Sequence, residues 1–378
     1  MGMIERYKIH NFKIHGDTDL KLANLTILTG MNGMGKSSVM QSMLMLRESF
    51  VKGGFPQKLN LRGESFQVGA SSQLVNWNTP QEPDILRIGI EQTVGCHFDF
   101  AYQYPLSNVT RLDQLPAATY YEREDLETCP LFNSNFQYLS AFRDGPQSVY
   151  QTDTSVVDDH KQLSFRMGRG EFAVYFLNKW GQEDIPIPAL NFDRANLQDL
   201  SLRTQTEAWL TAISPNIKIN IEQHASEYLL KFGYRREGVP MKWIDAMNTG
   251  FGISYVLAVL IAILSAHPGA LILIENPEAH IHPAAQAALM KLIAKAAGQD
   301  VQIILETHSD HIVNGALVAQ KTGLLEAERL QMYYFDRNRE TLNAEAIPLK
   351  VGRNGRIKDA PAGFFDQMRI DMETLFGI

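Results

Sequence analysis

The stretch at residues 25–38, LTILTGMNGMGKSS, constrains the fold of this chain more than any other. It predicts a short apolar strand, a glycine-rich turn and the start of a helix. Gly30, Gly35, Lys36 and Ser37 fit the spacing G-x-x-x-x-G-K-[ST]. Glycine lets the backbone curl closely around phosphate oxygens, where a Cβ would obstruct the approach. The N–H groups of the turn then converge as an anion nest at the positive end of a helix, so we predict a phosphate-binding P-loop.

Individual side chains of this loop have predicted roles. We expect the Lys36 ammonium to reach the β- and γ-phosphates of ATP, and the Ser37 hydroxyl to bind Mg²⁺. A chance glycine loop is the weaker interpretation, because strand, loop and helix occur in the required order. The other residues predicted to surround the nucleotide in this stretch are Gly30, Asn32, Gly33, Met34, Gly35 and Ser38.

Composition excludes several classes of protein. A chain of 378 residues with 45% hydrophobic residues can bury a large core, in two domains or in one elaborated domain. The net charge of −7 provides no overall basic field for nucleic acid, and two cysteines are too few for a disulfide framework. The first residues lack the apolar core of a signal peptide. The longest apolar run, Tyr255 to Ala266, is shorter than the roughly 20 residues that span a bilayer. We expect a cytoplasmic protein without membrane segments.

Strand and helix patterns divide the chain into three regions. Residues 1–150 are predicted to form an N-terminal ATPase lobe with an antiparallel β subdomain, and a turn is expected at Gly16-Asp17 between its first two strands. Residues 151–247 are predicted to form an inserted, mostly helical lobe with a β-hairpin. Residues 248–378 alternate strands and helices, which indicates a parallel sheet whose carboxyl ends carry the site. No heptad run marks a coiled-coil arm.

A P-loop needs an acidic partner at the end of a neighbouring buried strand. Glu275 ends the apolar run that begins at Leu271, so we predict that it binds Mg²⁺ or its waters. The competing interpretation is that Glu275 only caps the next helix.

The position after Glu275 normally holds the general base, and here it is Asn276, whose amide is a poor proton acceptor. Either Glu278 or His308 takes that role, or hydrolysis is slow and ATP acts mainly as a binding switch. His308 follows a second buried strand, where an imidazole can donate to the γ-phosphate. A zinc site at Glu278, His280 and His282 is a minor alternative, because no second ligand cluster matches it.

Four motifs in this order resemble the ATP-binding-cassette class, specifically SMC-like heads and the ATPase part of OLD-family proteins. Residues Ile9–Lys13 resemble the "iknF(R/K)" opening of those heads, and Gly30–Ser38 resemble their "GxNGxGKSS". Residues Ile274–Pro283 resemble "DEPExxLHP", and Glu306–Asp310 resemble "xTHSd". The resemblance implies a P-loop NTPase of ABC/SMC-head-like α/β fold that uses ATP and Mg²⁺, with Lys13 also close to the nucleotide.

A narrower resemblance is to bacterial ATPases with a C-terminal domain of unknown function. Their glycine signature is similar to Asn248–Ser254, their "YLxxxRxxP" to Tyr138–Pro146, and their "GFFDQ" tail to Gly363–Gln367. Because Glu-Asn recurs in the pattern of that subgroup, the missing base is interpreted as a subgroup property.

The resemblance implies a homodimer with composite nucleotide sites. Each nucleotide would lie between Lys36 of one protomer and the signature helix of the other, which opens near Gly250. Signature residues expected at the nucleotide are Thr249, Gly250, Gly252 and Ser254. Hydrolysis or release would then open the pair.

Relatives of this kind occur in anti-phage systems and beside nucleases, so the resemblance implies a separate effector such as a nuclease or toxin. The alternative is a nucleotide-locked scaffold with little turnover that organises such a complex. A transporter subunit is a weaker alternative, because the signature is atypical. Nucleic-acid binding is a further hypothesis, which depends on a basic tail: Lys350, Arg353, Arg356 and Lys358.

Overall fold

The computed structural model describes residues 2–377 except 54, 67–72, 77, 79–84, 105–112, 118, 120, 166, 194–196, 226, 353–354 and 362. Its strands are β1 Ile4–Phe12, β2 His15–Lys21, β3 Leu25–Gly30, β4 Lys58–Asn60, β5 Ile85–Gln92, β6 His97–Gln103, β7 Gln114–Pro116, β8 Phe136–Leu139, β9 Ile217–His224, β10 Glu227–Tyr234, β11 Trp243–Asp245, β12 Leu271–Glu275, β13 Gln302–Glu306, β14 Leu330–Arg337, β15 Ala344–Pro348, β16 Lys350–Val351 and β17 Ile357–Lys358. Its α-helices are α1 Lys36–Val51, α2 Arg123–Glu127, α3 Ala173–Trp180, α4 Leu202–Thr211, α5 Phe251–Leu264, α6 Pro283–Ala297, α7 Asp310–Lys321 and α8 Gln367–Phe376.

The central sheet has six strands in the order β15-β14-β3-β13-β12-β8. All neighbours pair in parallel except β14 and β15, which pair antiparallel. Strand β13 therefore lies between the P-loop strand β3 and strand β12, which ends at Glu275. β12 and β13 are continuous apolar runs because both of their faces are buried. The predicted α/β P-loop fold is confirmed.

Alternate residues of the central strands pack into two cores on opposite faces of the sheet. Ile272 and Ile303 belong to the core shared with α5, α6 and the region 151–247. Leu273 and Ile304 belong to the core shared with α1 and the antiparallel sheet. Helix α5 is apolar on nearly all sides and buried, as its sequence predicts.

The antiparallel part of residues 1–150 is a four-stranded sheet in the order β2-β1-β5-β6. The expected turn at Gly16-Asp17 is wrong, because both residues lie inside β2. Phe12 pairs with His15, so the chain reverses at Lys13 and Ile14. Lys13 adopts a φ of 52°, which is uncommon for a non-glycine residue.

The region 151–247 contributes α3, α4 and a three-stranded sheet in the order β11-β10-β9. Strand β8 ends at Leu139, where the backbone N–H of Ser140 donates to the carbonyl oxygen of Gly168. No helix among the described residues is long and apolar enough to cross a membrane.

Candidate nucleotide-binding site

The P-loop lies at the carboxyl end of β3, and two of its glycines are required by packing as well as by backbone angle. Gly30 has a φ of 133°, and a Cβ there would lie 2.3 Å from the Phe335 carbonyl oxygen. Gly35 has a φ of 105°, and its Cβ would lie 2.9 Å from Nε2 of His15. Gly33 also has a positive φ, of 77°, but faces open space. Any side chain at Gly30 or Gly35 would therefore displace the loop.

Lys36 is 3% exposed and folds against the first residues of the loop. Its Nζ donates to the carbonyl oxygens of Gly30, at 2.9 Å, and of Met31, at 2.7 Å. Burial lowers the pKa of Lys36, and the nearby Glu306 carboxylate opposes that shift. The outer turn, Asn32 and Gly33, is exposed, whereas Met34 and Ser38 are half-buried.

The Ser37 hydroxyl donates to Oε1 of Glu306 at 2.9 Å. Glu306 ends β13 and is 5% exposed, and its Oε2 is buried without a hydrogen-bond partner among the described residues. Burial is the main cause that raises the pKa of Glu306 to about 7. Glu306 is a site residue that was not predicted from the sequence. The signal was its place at the end of an apolar strand, two residues before His308.

Glu275 lies one strand further from the P-loop and is held by protein donors. Its Oε1 accepts from the Tyr138 hydroxyl at 3.0 Å, and its Oε2 accepts from the Ala141 backbone N–H at 3.1 Å. Burial raises the pKa of Glu275. The capping alternative fails, because the side chain that caps α6 is His282, whose Nδ1 accepts from the Ala284 N–H.

Arg143 anchors the loop that follows β12. It is 2% exposed and donates to the carbonyl oxygens of Ser140, Glu275 and Asn276 at 2.6, 2.6 and 2.7 Å. Burial lowers the pKa of Arg143 to about 10, although the nearby Glu278 carboxylate opposes the shift. In the sequence this arginine is marked only by a family pattern, since two of its three carbonyl partners, Glu275 and Asn276, lie more than 130 positions away.

Asn276 has a backbone role. Its φ is 44°, a left-handed conformation that asparagine adopts more readily than glutamate. Its N–H donates to the Glu306 carbonyl at 2.8 Å, and its Oδ1 is buried with no partner in the described chain. Glu278 is two residues further, and its Oε1 accepts from the His308 backbone N–H at 2.9 Å. Glu278 and His308, the two alternative bases, are therefore neighbours.

The His308 ring lies at the Gly30 carbonyl, so the structure brings it to the P-loop. Burial and the Lys36 charge lower the pKa of His308, which favours a neutral ring with one donor and one acceptor nitrogen. His280 instead packs against the rings of Phe251 and Tyr255. No group of three or more His, Cys, Asp or Glu side chains in the described part of the chain could hold a metal, which leaves the zinc alternative without support.

The glycine signature forms the start of α5, but its residues differ in exposure. Gly250 is exposed and a Cβ there would meet no atom within 4 Å. Gly252 is buried, and a Cβ would lie 2.1 Å from the His280 carbonyl oxygen. Ser254 is also buried, at 8% exposure, near Tyr150. Thr249 donates its hydroxyl to the Ala246 carbonyl at 2.7 Å.

Lys13 lies beside α1, where its Nζ donates to the side chain of Gln41. Burial lowers the pKa of Lys13. The described contacts of its Nζ are with Gln41 and with the Phe12 ring, and not with the loop itself.

The oxygen atoms at this site are suitable ligands for the Mg²⁺ ion of a bound nucleotide. Mg²⁺ keeps several waters and binds through one or two protein oxygens together with substrate phosphates, so a three-residue metal cluster is not required. Ser37 supplies a hydroxyl and Glu306 a carboxylate oxygen without a described partner. These residues, with Glu275 beyond them, would hold the cation at the carboxyl ends of β13 and β12.

Three families match parts of the sequence. Residues 3–167 match a family of AAA ATPase domains. Residues 170–314 match an AAA domain family described as a candidate AbiEii toxin of a type IV TA system. Residues 325–375, which include Gly363–Gln367, match a protein family of unknown function, DUF3696. The comparison with curated proteins gives no significant match.

Solved structures share the fold. An SMC head bound to the C-winged helix domain of ScpA aligns with a TM-score of 0.52 at 13% identity, over 93% of this chain and 98% of that chain. An SMC head with an extended coiled coil, bound to the C-terminal domain of ScpA from Pyrococcus furiosus, aligns with a TM-score of 0.54 at 13% identity, over 99% and 100%. The fold is that of an SMC head. The two AAA-family matches support a nucleotide-binding ATPase.

Proposed function

We propose that this protein is a Mg²⁺-dependent ATPase that closes into a homodimer on ATP and thereby controls a separate effector. The observation that carries the proposal is the convergence of Lys36, Ser37, Glu275 and His308 at the carboxyl ends of β3, β12 and β13. Binding groups at this edge of a parallel sheet suit a nucleotide triphosphate.

The site residues have different roles in the proposed reaction. The loop N–H groups and Lys36 bind and orient the phosphates, and bound Mg²⁺ would neutralise phosphate charge. Glu278 and His308 are the groups placed to orient the attacking water or to take its proton. Glu278 Oε2 is buried without a hydrogen bond to any described residue, so it retains an acceptor.

Exposed apolar side chains near the P-loop and the signature support the dimer. Met31 is 56% exposed, Phe142 75%, Met247 57% and Phe251 50%. Exposed apolar surface of this kind often belongs to a protein interface. Gly250, Thr249 and the start of α5 would then contribute N–H groups to the nucleotide of the partner.

Control of an effector such as a nuclease or toxin in anti-phage defence is supported by the family comparisons. One matched family is described with the AbiEii toxin, and the SMC heads of similar fold are bound to ScpA domains. A contact with nucleic acid would involve Lys350, Arg356 and Lys358 at the hairpin β16–β17, while Arg353 lies outside the described residues. A steep loss of DNA affinity with salt would support that contact.

Lys36→Ala tests the proposal. The affinity of this variant for a fluorescent ATP analogue should be at least about tenfold lower than that of the native chain, because Lys36 is the P-loop cation that binds the phosphates. Sedimentation with a non-hydrolysable analogue should show a dimer for the native chain and a monomer for the variant. Unchanged affinity in Lys36→Ala would contradict the nucleotide site. If the native chain stays monomeric when it is saturated with the non-hydrolysable analogue, the proposed ATP-dependent dimer is contradicted.

A nucleotide-locked scaffold is the second candidate, and it is favoured by Asn276, which adopts a left-handed conformation and whose Oδ1 is buried. Phosphate release by the pure protein, with and without DNA, separates the two functions. Turnover that is lost in Glu278→Gln and retained in Asn276→Ala supports an ATPase with a relocated base. Negligible turnover under all conditions, with tight ATP binding, supports the scaffold.

A further inference from the structure

The carboxylate nearest to the P-loop serine comes from β13 and not from β12. β13 pairs directly with β3, with Glu306 opposite Leu28, whereas Glu275 lies on the far side of β13, opposite Glu306. Sheet order therefore places Glu306 beside the loop and Glu275 one strand away.

The hydrogen bonds of the two carboxylates follow this order. Glu306 Oε1 accepts from the Ser37 hydroxyl at 2.9 Å, the group that P-loop proteins direct at Mg²⁺. Both oxygens of Glu275 are engaged by Tyr138 and Ala141. Oε2 of Glu306 is buried with no partner among the described residues. A buried carboxylate oxygen without a donor is costly, and a cation would compensate that cost.

The ammonium of Lys36 does not form this missing contact. Its Nζ donates to two loop carbonyls, and the described structure shows no ion pair between Lys36 and Glu306. The Lys36 charge nevertheless acts on the Glu306 carboxylate and lowers its pKa, against the larger effect of burial.

We propose that Glu306, together with Ser37, is the carboxylate that holds the divalent cation of the nucleotide. This inference rests on the proposed ATP site and deepens it. Glu275 then positions the end of β8, through Tyr138 and Ala141, more than it binds the cation. The competing explanation is that Glu306 only fixes the start of α1 through the Ser37 hydroxyl.

The test measures cation binding and not turnover. Mn²⁺ affinity of the complex with a non-hydrolysable ATP analogue is followed by electron paramagnetic resonance, and analogue affinity is measured in EDTA. Glu306→Gln keeps an oxygen that can accept from Ser37. It should lower Mn²⁺ affinity by about tenfold or more and leave analogue affinity in EDTA nearly unchanged. Glu275→Gln is the matched control and should lower Mn²⁺ affinity less.

Native Mn²⁺ affinity in Glu306→Gln would overturn the inference while the ATP site stands. Failure of the native chain to bind the analogue, with or without the cation, would instead remove the proposed function itself. If circular dichroism shows that the glutamine variant does not fold, Glu306→Asp decides the question. Aspartate keeps the negative charge, but its shorter side chain cannot bring the carboxylate to the same position. Weaker Mn²⁺ binding in this variant therefore supports the inference, and unchanged Mn²⁺ binding overturns it.

Discussion

Nε2 of His15 lies 3.0 Å from the carbonyl oxygen of Gly35, and this buried hydrogen bond fixes the last glycine of the P-loop. Because a carbonyl only accepts, Nε2 carries the proton, and Nδ1 accepts from the Thr18 hydroxyl at 2.8 Å. His15 is fully buried, so strand β2 holds a neutral imidazole in one tautomer against the glycine that begins the helix. No sequence motif indicated this contact, which joins two residues 20 positions apart.

The first prediction is that acid destabilises the protein partly through His15. Desolvation is the main cause that lowers the pKa of His15 to about 4, and the Lys13 charge adds to it. The folded state therefore favours the neutral ring, whereas the unfolded chain protonates at a pKa of about 6.5. The contribution of His15 to stability is complete above that value and declines as the pH falls towards 4, by up to about 3 kcal/mol. Urea unfolding of the native chain and of His15→Gln between pH 7.5 and 4.5 measures it. Equal losses in both proteins would contradict the prediction.

The second prediction concerns Arg143. Replacement by Met leaves the carbonyl oxygens of Ser140, Glu275 and Asn276 without their buried donor, so we expect a loss of about 3 kcal/mol or more in the free energy of unfolding. Arg169→Met is the matched control, since Arg169 is half-exposed in an ion pair with Asp144 and should cost less than about 1 kcal/mol. Chemical denaturation measures both variants. Similar losses in the free energy of unfolding for the two variants would show that the burial of Arg143 does not increase its contribution to stability.

A third prediction separates two glycines of the signature. Gly252→Ala would place a Cβ against the His280 carbonyl, so it should destabilise the protein by about 1–3 kcal/mol. Gly250→Ala has open space and a φ of −63°, so its stability should change by less than about 1 kcal/mol. If Gly250 faces the nucleotide of the partner, this variant should nevertheless weaken the ATP-dependent dimer in sedimentation experiments. Equal thermal stability of the two variants would refute the packing argument.

The fourth prediction addresses the backbone of Asn276. Glycine adopts the φ of 44° found at Asn276 without cost, whereas glutamate adopts it only at a cost in free energy. Asn276→Gly should therefore retain near-native stability, and Asn276→Glu should lose about 1–2 kcal/mol in the free energy of unfolding. Restoring the usual acidic residue should therefore weaken the fold without producing a fast ATPase. Thermal unfolding and phosphate release are the measurements. A stable and much faster Asn276→Glu variant would show that the turn does not select asparagine.

Local patterns were sufficient for the elements that carry the site. The apolar run that ends at Glu275, the buried strand before His308 and the glycines around Lys36 predicted β12, β13 and the start of α1. The reversal at Lys13 was not predictable in this way, because pairing of β1 with β2 selects it and Gly16-Asp17 is the stronger local turn signal. The pairing of β14 with β3 likewise joins segments about 300 residues apart.

Motif spacing and apolar runs are local properties, so they were enough to predict a P-loop, an acidic strand end and a histidine strand end in one α/β chain. Only the tertiary structure decided which carboxylate meets Ser37. That choice depends on β13 lying between β3 and β12, and strand order results from packing of both sheet faces across the whole chain. The supports from His15 and Arg143 were decided in the same way, because their partners become neighbours only when distant segments pack together.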